Sequence, residues 1–368
     1  MVELKKVNLG DIITFKNGKK KPAEEGTIPI YGGNGILGYT DRSNYKNCIA
    51  VGRVGAYCGS VYYEPGECWI SDNAIAATPK ADVDIYFAFY LLKSLNLNQR
   101  HIGTSQPLLT QEILNKIECQ IPDLDIQKKI SNILRTVDGK VECNTAINRN
   151  LSEQAQAYFD ELFVQNASTD WSQGTLSDVG TIVAGGTPSK AKEEYYTENG
   201  IAWITPKDLS VDKSIFISHG ENDITELGLQ KSSATMMPAG TVLFSSRAPI
   251  GYIAIAANEV STNQGFKSVV PNSNVGTAYI YYLLKQLLPT IEGMASGSTF
   301  KEISGSAMKT VPTVIPDDAT LKRFDDFCQP IMLQIQKNEM ESKRLAELRD
   351  SLLPKLMSGE LDVSDLEI

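Results

Sequence analysis

Residues 130–162 read ISNILRTVDGKVECNTAINRNLSEQAQAYFDEL, and the spacing of their side chains decides the fold. Ile130, Leu134, Val137, Val141, Asn144, Asn148, Leu151, Ala155, Tyr158 and Leu162 stand alternately four and three residues apart. That alternation places them on one stripe of a single long helix, the seam against which a partner helix packs. Adding 194 to each number gives Phe324, Cys328, Ile331, Ile335, Asn338, Ser342, Leu345, Arg349, Leu352 and Leu356. The seam recurs, polar middle included. Paired antiparallel with midpoints level, the two helices set Asn144 opposite Ser342 and Asn148 opposite Asn338. A buried polar layer of that kind costs stability and fixes register, because any slip puts amides against aliphatic side chains. The other reading places these amides on the solvated edge of a looser bundle. Arg349, where the first seam has Ala155, breaks the pattern, and Pro330 and Pro354 each remove an internal hydrogen bond, so kinks or early ends are expected there.

Each seam follows a β-rich stretch. Residues 1 to about 122 read as short strands broken by glycine turns: DIITF, IPIY before GGNG, CIAVGRVGAYCGSVYY, then a helical YFAFYLLKSL. Residues 170–316 keep that order with TLSDVGTIV, IAWIT, TVLFSSRAPIGYIAIA and YIYYLLKQLL. Leu9-Gly10-Asp11-Ile12 matches Leu176-Ser177-Asp178-Val179, Arg53 matches Arg247, Ser71-Asp72-Asn73 matches Ser261-Thr262-Asn263, and Gly103-Thr104-Ser105 matches Gly297-Ser298-Thr299. The chain is a tandem duplication of β-rich unit plus long helix. The expected class is α+β: two β-rich recognition units and a pair of long antiparallel helices forming a coiled coil about a pseudo-twofold. The expected segments are unit one at 1–122, helix one at 123–167, unit two at 168–316, helix two at 317–358 and an acidic tail at 359–368. An antiparallel pair returning the chain toward its first unit makes a dumbbell. Its rod of 33 residues at roughly 1.5 Å each spans about 50 Å, or roughly fifteen base pairs.

The composition, 42% hydrophobic and 21% charged over 368 residues, is that of a globular protein of two or three domains. Six cysteines without a CxxC pair are no disulfide framework; Cys48, Cys58 and Cys68, ten apart, suit small core residues on successive strands better than zinc ligands. The start, MVELKKVNLGDIITF, has no apolar signal region, and no run of eighteen apolar residues occurs, so a cytoplasmic protein without a membrane anchor is expected. The net charge is −9, but −7 of it falls on residues 119–168 and 317–368, leaving 1–118 at +1 and 169–316 at −3. Attraction to phosphate is therefore weak, and strong binding to DNA needs positive surface from elsewhere.

Sequence signatures of catalysis fail one by one. Gly33-Asn34-Gly35-Ile36-Leu37-Gly38 fits GxGxxG, but the following YTDRSNYKN has no helical period to face a pyrophosphate. Neither GxxxxGK[ST] nor the Asn/Asp-Pro-Pro-aromatic motif of amino-methyltransferases occurs. Pro316-Asp317 with Glu341-Ser342-Lys343 imitates a PD-ExK nuclease, yet these residues fall on the second heptad helix instead of on adjacent strands. His101 and His219, the two histidines, have no partner motif. No metal site and no active site are expected.

What remains is recognition. Asn and Gln can bridge adenine, Arg can bridge guanine, and Lys or Ser can anchor phosphates. The repeated turns carry such groups: Asn17, Lys19, Lys20, Lys21, Asn34, Tyr39, Arg53 and Gln106 in unit one, and Thr187, Ser189, Lys190, Lys207, Arg247 and Lys301 in unit two. For each, an exposed polar loop residue is the plain alternative, and the two arginines can also cap a sheet internally.

The strings IPIYGGNGILGY, GGTPSK, IAWITPKDL, SSRAPIGYIAI, STNQGFKS and LAELRDSLLPKLMSGEL resemble the specificity subunit of Type I restriction-modification enzymes over nearly the whole chain. The resemblance implies two target recognition domains, each reading half of a bipartite double-stranded DNA site, and helices whose length sets the spacer. It implies docking of two modification (methyltransferase) subunits that bind S-adenosylmethionine, and a restriction/translocase subunit that uses ATP and Mg, with no cofactor on this chain. Base contacts vary among members and are not carried over. Tyr158, Phe159 and Phe163, and Leu348, Leu352 and Leu353, are candidates for partner burial; they can equally close the helices onto their own domains. A stand-alone DNA-modifying enzyme and a coiled-coil spacer that binds no DNA are the alternatives.

Overall fold

The computed structural model describes residues 3–103, 106–297 and 301–366. The chain forms two compact units, 1–141 with 343–368, and 142–342. These limits fall inside the long helices and not at their ends, because a helix has no core of its own and each half buries its seam in the β-rich unit it adjoins.

In the first unit the strands are β1 (Lys5–Asn8), β2 (Ile13–Asn17), β3 (Ile28–Gly32), β4 (Gly35–Thr40), β5 (Tyr45–Gly52), β6 (Val61–Ile70), β7 (Ala74–Pro79) and β8 (Glu118–Ile121). Six form a sheet in the order β2-β7-β5-β6-β3-β4, with β3 and β6 parallel, and β1 pairs with β8. Part of the expected strand DIITF is instead a helical turn, Leu9–Ile12: Asp11 accepts a hydrogen bond from the Asn8 amide, a capping box that stops the strand. GGNG is the β3–β4 turn, where Gly35 takes φ +76° and a strand, not a helix, follows. The helix α1 (Ile85–Ser94) starts at Asp84, whose carboxylate accepts from the amides of Tyr86 and Phe87, and buries Phe87, Tyr90, Leu91 and Leu92. Cys48 and Cys68 lie buried on β5 and β6, burial pushing the Cys48 thiol up to about 11, whereas buried Cys58 follows a 3-10 turn and is not on a strand.

The helix α2 (Leu124–Asp160) continues into a single π-helical turn, Glu161–Gln165. Its first half places Ile126, Ile130 and Leu134 in the first unit's core, beside Leu356 and Met357 from the end of the last helix. The tail beyond that helix is acidic but not free of the fold. Val363 is buried in the same core, because it is the apolar residue among the tail's aspartates and glutamates that reaches it.

The second unit repeats the plan with β9 (Ser172–Thr175), β10 (Gly180–Ala184), β11 (Tyr196–Thr197), β12 (Ile201–Ile204), β13 (Phe216–Ile217), β14 (Asn222–Ile224), β15 (Val242–Ser246), β16 (Ile250–Ala256), β17 (Ser261–Thr262), β18 (Lys267–Pro271) and β19 (Pro312–Ile315). The run β10-β18-β15-β16 matches β2-β7-β5-β6, and β19-β9 matches β8-β1. The capping box recurs at Thr175 and Asp178. The difference is at the far edge, where β11-β14-β12-β17 forms a separate sheet. The helix α3 (Thr277–Met294) buries Tyr279, Tyr281 and Tyr282.

The last helix, α4 (Asp318–Met357), runs through Pro330 and ends three residues beyond Pro354, so neither proline breaks it where it stands. Both are exposed, so each removes one hydrogen bond on the solvent side while Cys328, Met332 and Ile335, or Leu356 and Met357, stay buried on the other. None of the twenty seam positions is exposed.

Candidate nucleic-acid interface

The second unit gathers four of its six candidate residues around one open cleft of about 730 Å3: Thr187, Lys190, Lys207 and Arg247. Tyr196, Trp203, Asn263 and Gln264 line it too, and sequence reasoning did not place them there. Asn263 was visible as a repeat landmark, but nothing in the sequence shows that the turn after β17 faces the loop before β11. Trp203 donates through Nε1 to the Gly186 carbonyl at 2.9 Å, and its ring meets that of Tyr196 edge-on at 5.8 Å, so the aromatic wall is fixed. Ser189 is exposed next to Lys190 and Lys301 is exposed next to Glu302; neither lines the cleft.

Acidic partners already hold most of the cleft's cations. Lys207 Nζ lies 2.6 Å from Glu221 Oε2, a contact that raises the lysine pKa. Arg247 Nη1 is 3.3 Å from Glu302 Oε2, and buried Lys267 is 3.6 Å from the other oxygen of that carboxylate. Thr187 Oγ1 is a buried hydroxyl oxygen without a hydrogen-bond partner among the described residues.

The first unit is more dispersed. Lys19, Lys20 and Lys21 are exposed in the loop after β2, held down at Lys19, whose amide donates to the Ile70 carbonyl at 3.0 Å. Gly18 precedes them because a Cβ there would stand 2.0 Å from the Ser71 carbonyl oxygen. Lys21 and Tyr39 share a shallow cavity of about 380 Å3 with Glu24 and Glu25. Asn34 is exposed at the β3–β4 turn. Gln106 is exposed in the segment that pairs with the Arg53 strand end through Leu109 N to Arg53 O, 2.9 Å. Arg53 is half-buried and its Nε has no partner among the described residues. Asn17 pairs with Ile75 on β2 and is exposed.

The match of Arg53 to Arg247 does not hold in three dimensions. Arg53 donates its amide to Asn73 O and accepts from Leu109 N, while Ser246 donates to Gly265 O and accepts from Ile303 N. Arg53 therefore corresponds to Ser246, and Arg247 to Val54. The matched Thr104, Ser105, Ser298 and Thr299 lie outside the described residues.

On the helices, Asn144, 1% exposed, donates through Nδ2 to Glu341 Oε2 at 2.8 Å and to Ser342 Oγ at 3.3 Å. Asn338 donates to Asn148 Oδ1 at 2.8 Å. The amides thus meet across the pair inside the second unit, and Asn144 and Asn338 are buried, not set on a solvated edge. Arg349, the break in the pattern, pairs with Asp138 at 2.6 Å in the first unit, where Asp138 also accepts from the Tyr90 hydroxyl at 2.6 Å.

Phe159 is fully buried among Tyr279, Tyr282 and Phe324, Phe163 packs on Tyr279 and Trp171, and Tyr158 lies against Phe324 and Phe327. These aromatics close the helices onto their own domain. Leu352 and Leu353 do the same in the first unit, and Leu348 is exposed. Asp317, just before α4, and Glu341 within it are separated by roughly 36 Å at 1.5 Å per residue, too far to share a metal. His219 sits 3.2 Å from Asp223 outside the cleft, and His101 Nδ1 is buried without a partner among the described residues. No group of three metal-ligating side chains occurs among the described residues, and no helix there is long and apolar enough to cross a membrane.

Two copies of one β-rich unit, each presenting lysine- and amide-bearing turns, define a tandem recognition protein. Both copies match the family model described as the Type I restriction modification DNA specificity domain, over residues 1–153 and 168–346, and the chain belongs to that family. It is 38% identical over 199 residues to the Type I restriction enzyme MjaIX specificity subunit of Methanocaldococcus jannaschii, an alignment covering 52% of this chain and 45% of that protein. It is 24% identical over 374 residues to the HindI specificity subunit of Haemophilus influenzae, covering 79% of this chain and 81% of that one. The crystal structure of a Type-I restriction-modification system S subunit from M. genitalium shares the fold with TM-score 0.64 and 20% identity, covering 97% of this chain and 96% of that one.

Proposed function

We propose that this chain is the sequence-reading subunit of a Type I restriction-modification complex, with each β-rich unit reading one half of a bipartite site in double-stranded DNA. The observation that carries the reading is the second unit's cleft, where Arg247, Lys190 and Lys207 stand beside Asn263 and Gln264, donors for base edges and phosphates, against the wall of Trp203. The chain contributes recognition and scaffolding, and catalysis belongs to two modification subunits and a restriction/translocase subunit. S-adenosylmethionine, ATP and Mg are bound by those partners and not by this chain, and the assembly works in the cytoplasm. Methylome sequencing of a host that expresses this chain with its modification partner tests the reading. The expected result is one bipartite motif with a fixed non-specific spacer. Methylation by the purified chain alone would favour a stand-alone enzyme, and an assembled complex without sequence preference would favour a spacer protein.

A further inference from the structure

One short backbone element is the same in both units while its side chains change character completely. In the first unit Val54 pairs with Leu108 and Leu108 with Ile102; in the second Arg247 pairs with Glu302 and Glu302 with Ser296. The hydrogen bonds agree: Ile102 and Leu108 exchange both amide-to-carbonyl bonds at 3.0 Å, and Ser296 and Glu302 do so at 3.1 and 2.9 Å. Side chains directly opposite in an antiparallel pair share a face, so each triplet projects to one side. The contact of Arg247 with Glu302 follows from that geometry.

The triplet borders candidate residues in both units. Arg247 lines the second unit's cleft. In the first unit Val54 is 37% and Ile102 55% exposed, and Tyr57, 53% exposed, joins them. The Gly33-Asn34 turn lies against this patch, a Cβ on Gly33 being 3.5 Å from Val54 O and 3.7 Å from Tyr57 Cβ. Exposed lysines 19–21 on the same unit supply charge complementary to a phosphate backbone, and Arg53, next to Val54, holds a donor without a partner among the described residues.

We propose that this bridged triplet is a specificity-determining element, resting on the DNA-reading function above. Val54, Leu108 and Ile102 accept thymine 5-methyl groups in the major groove of one half-site, and Arg247, braced by Glu302, meets guanine O6 and N7 in the other. An apolar face has nothing to offer a base except a methyl group, and thymine alone presents one; a guanidinium fits the paired acceptors of guanine. The backbone frame stays constant while its chemistry switches, as an element used to vary the target requires.

The test uses the assembled methyltransferase and duplexes carrying its motif, first with the wild-type chain. Replacing thymine by uracil should weaken binding in one half-site by about fourfold for each contacted methyl, and replacing guanine by 7-deazaguanine should weaken it in the other. Arg247→Ala should abolish the second sensitivity and leave the first, which also shows that the variant is folded. Thymine-to-uracil replacement without effect in either half, or both sensitivities in the same half, would overturn the inference. Binding that ignores sequence in both halves would overturn the recognition reading and this inference with it.

Discussion

Glu339 is the residue whose charge state works against its surroundings. From α4 it reaches the start of β13, accepting from the amides of Ile215 at 2.7 Å and Phe216 at 3.0 Å. Burial raises its pKa to about 7 even though both amides pull the other way, and Asp212 adds a further raising influence. A carboxyl that holds its proton more tightly when folded adds stability that is complete below its ordinary value of 4.5 and is lost as the pH rises through about 7. Glu339→Gln removes that dependence. The stability of wild type relative to the variant should therefore fall between pH 5 and pH 8, by up to about 3 kcal/mol, in paired thermal melts. A relative stability that instead grows with pH would mean the two amide donors outweigh burial.

Among the elements, the polar layer trades stability for definition. Asn144, Asn148 and Asn338 bond across the helices where leucines would fit. Changing all three to Leu should raise resistance to denaturant by roughly 1–4 kcal/mol while permitting shifted pairings. Spin labels at exposed positions 146 and 337 should then give a broadened distance distribution where the wild type gives one narrow peak; a narrow peak in the variant would show that the flanking cores alone set the register. The layer was legible in the sequence because a heptad is a local pattern. Arg349 was legible only as a break, since its partner Asp138 and the Tyr90 hydroxyl come from distant segments. That Arg247 stands in the place of Val54 and not of Arg53 left no trace in the repeat, because it shows only in bonds to distant segments. For the same reason Lys190, Lys207 and Arg247 could be named as candidates, but their meeting with Trp203 and Asn263 depends on pairings such as β12 with β17, which no local signal encodes.

At the scale of the whole molecule, charge decides how this chain can meet DNA. A net charge of −9 sets a repulsive background, and Lys207 and Arg247 of the second cleft, with buried Lys267, face Glu221 or Glu302. A cation already neutralised by a carboxylate releases few counterions when it reaches a phosphate, so it adds little salt dependence. The exposed Lys19, Lys20, Lys21 and Lys190 show no ion pair among the described residues, and they set the scale of counterion release by the chain alone. Four phosphate contacts give a slope of log K against log salt of roughly −4. The purified chain titrated with duplex DNA between low and physiological salt should show that shallow slope and weak affinity, and the assembly with modification subunits a steeper one. A slope near −8 for the chain by itself would mean that the Glu221 and Glu302 pairs open on contact and that this protein needs no borrowed positive surface.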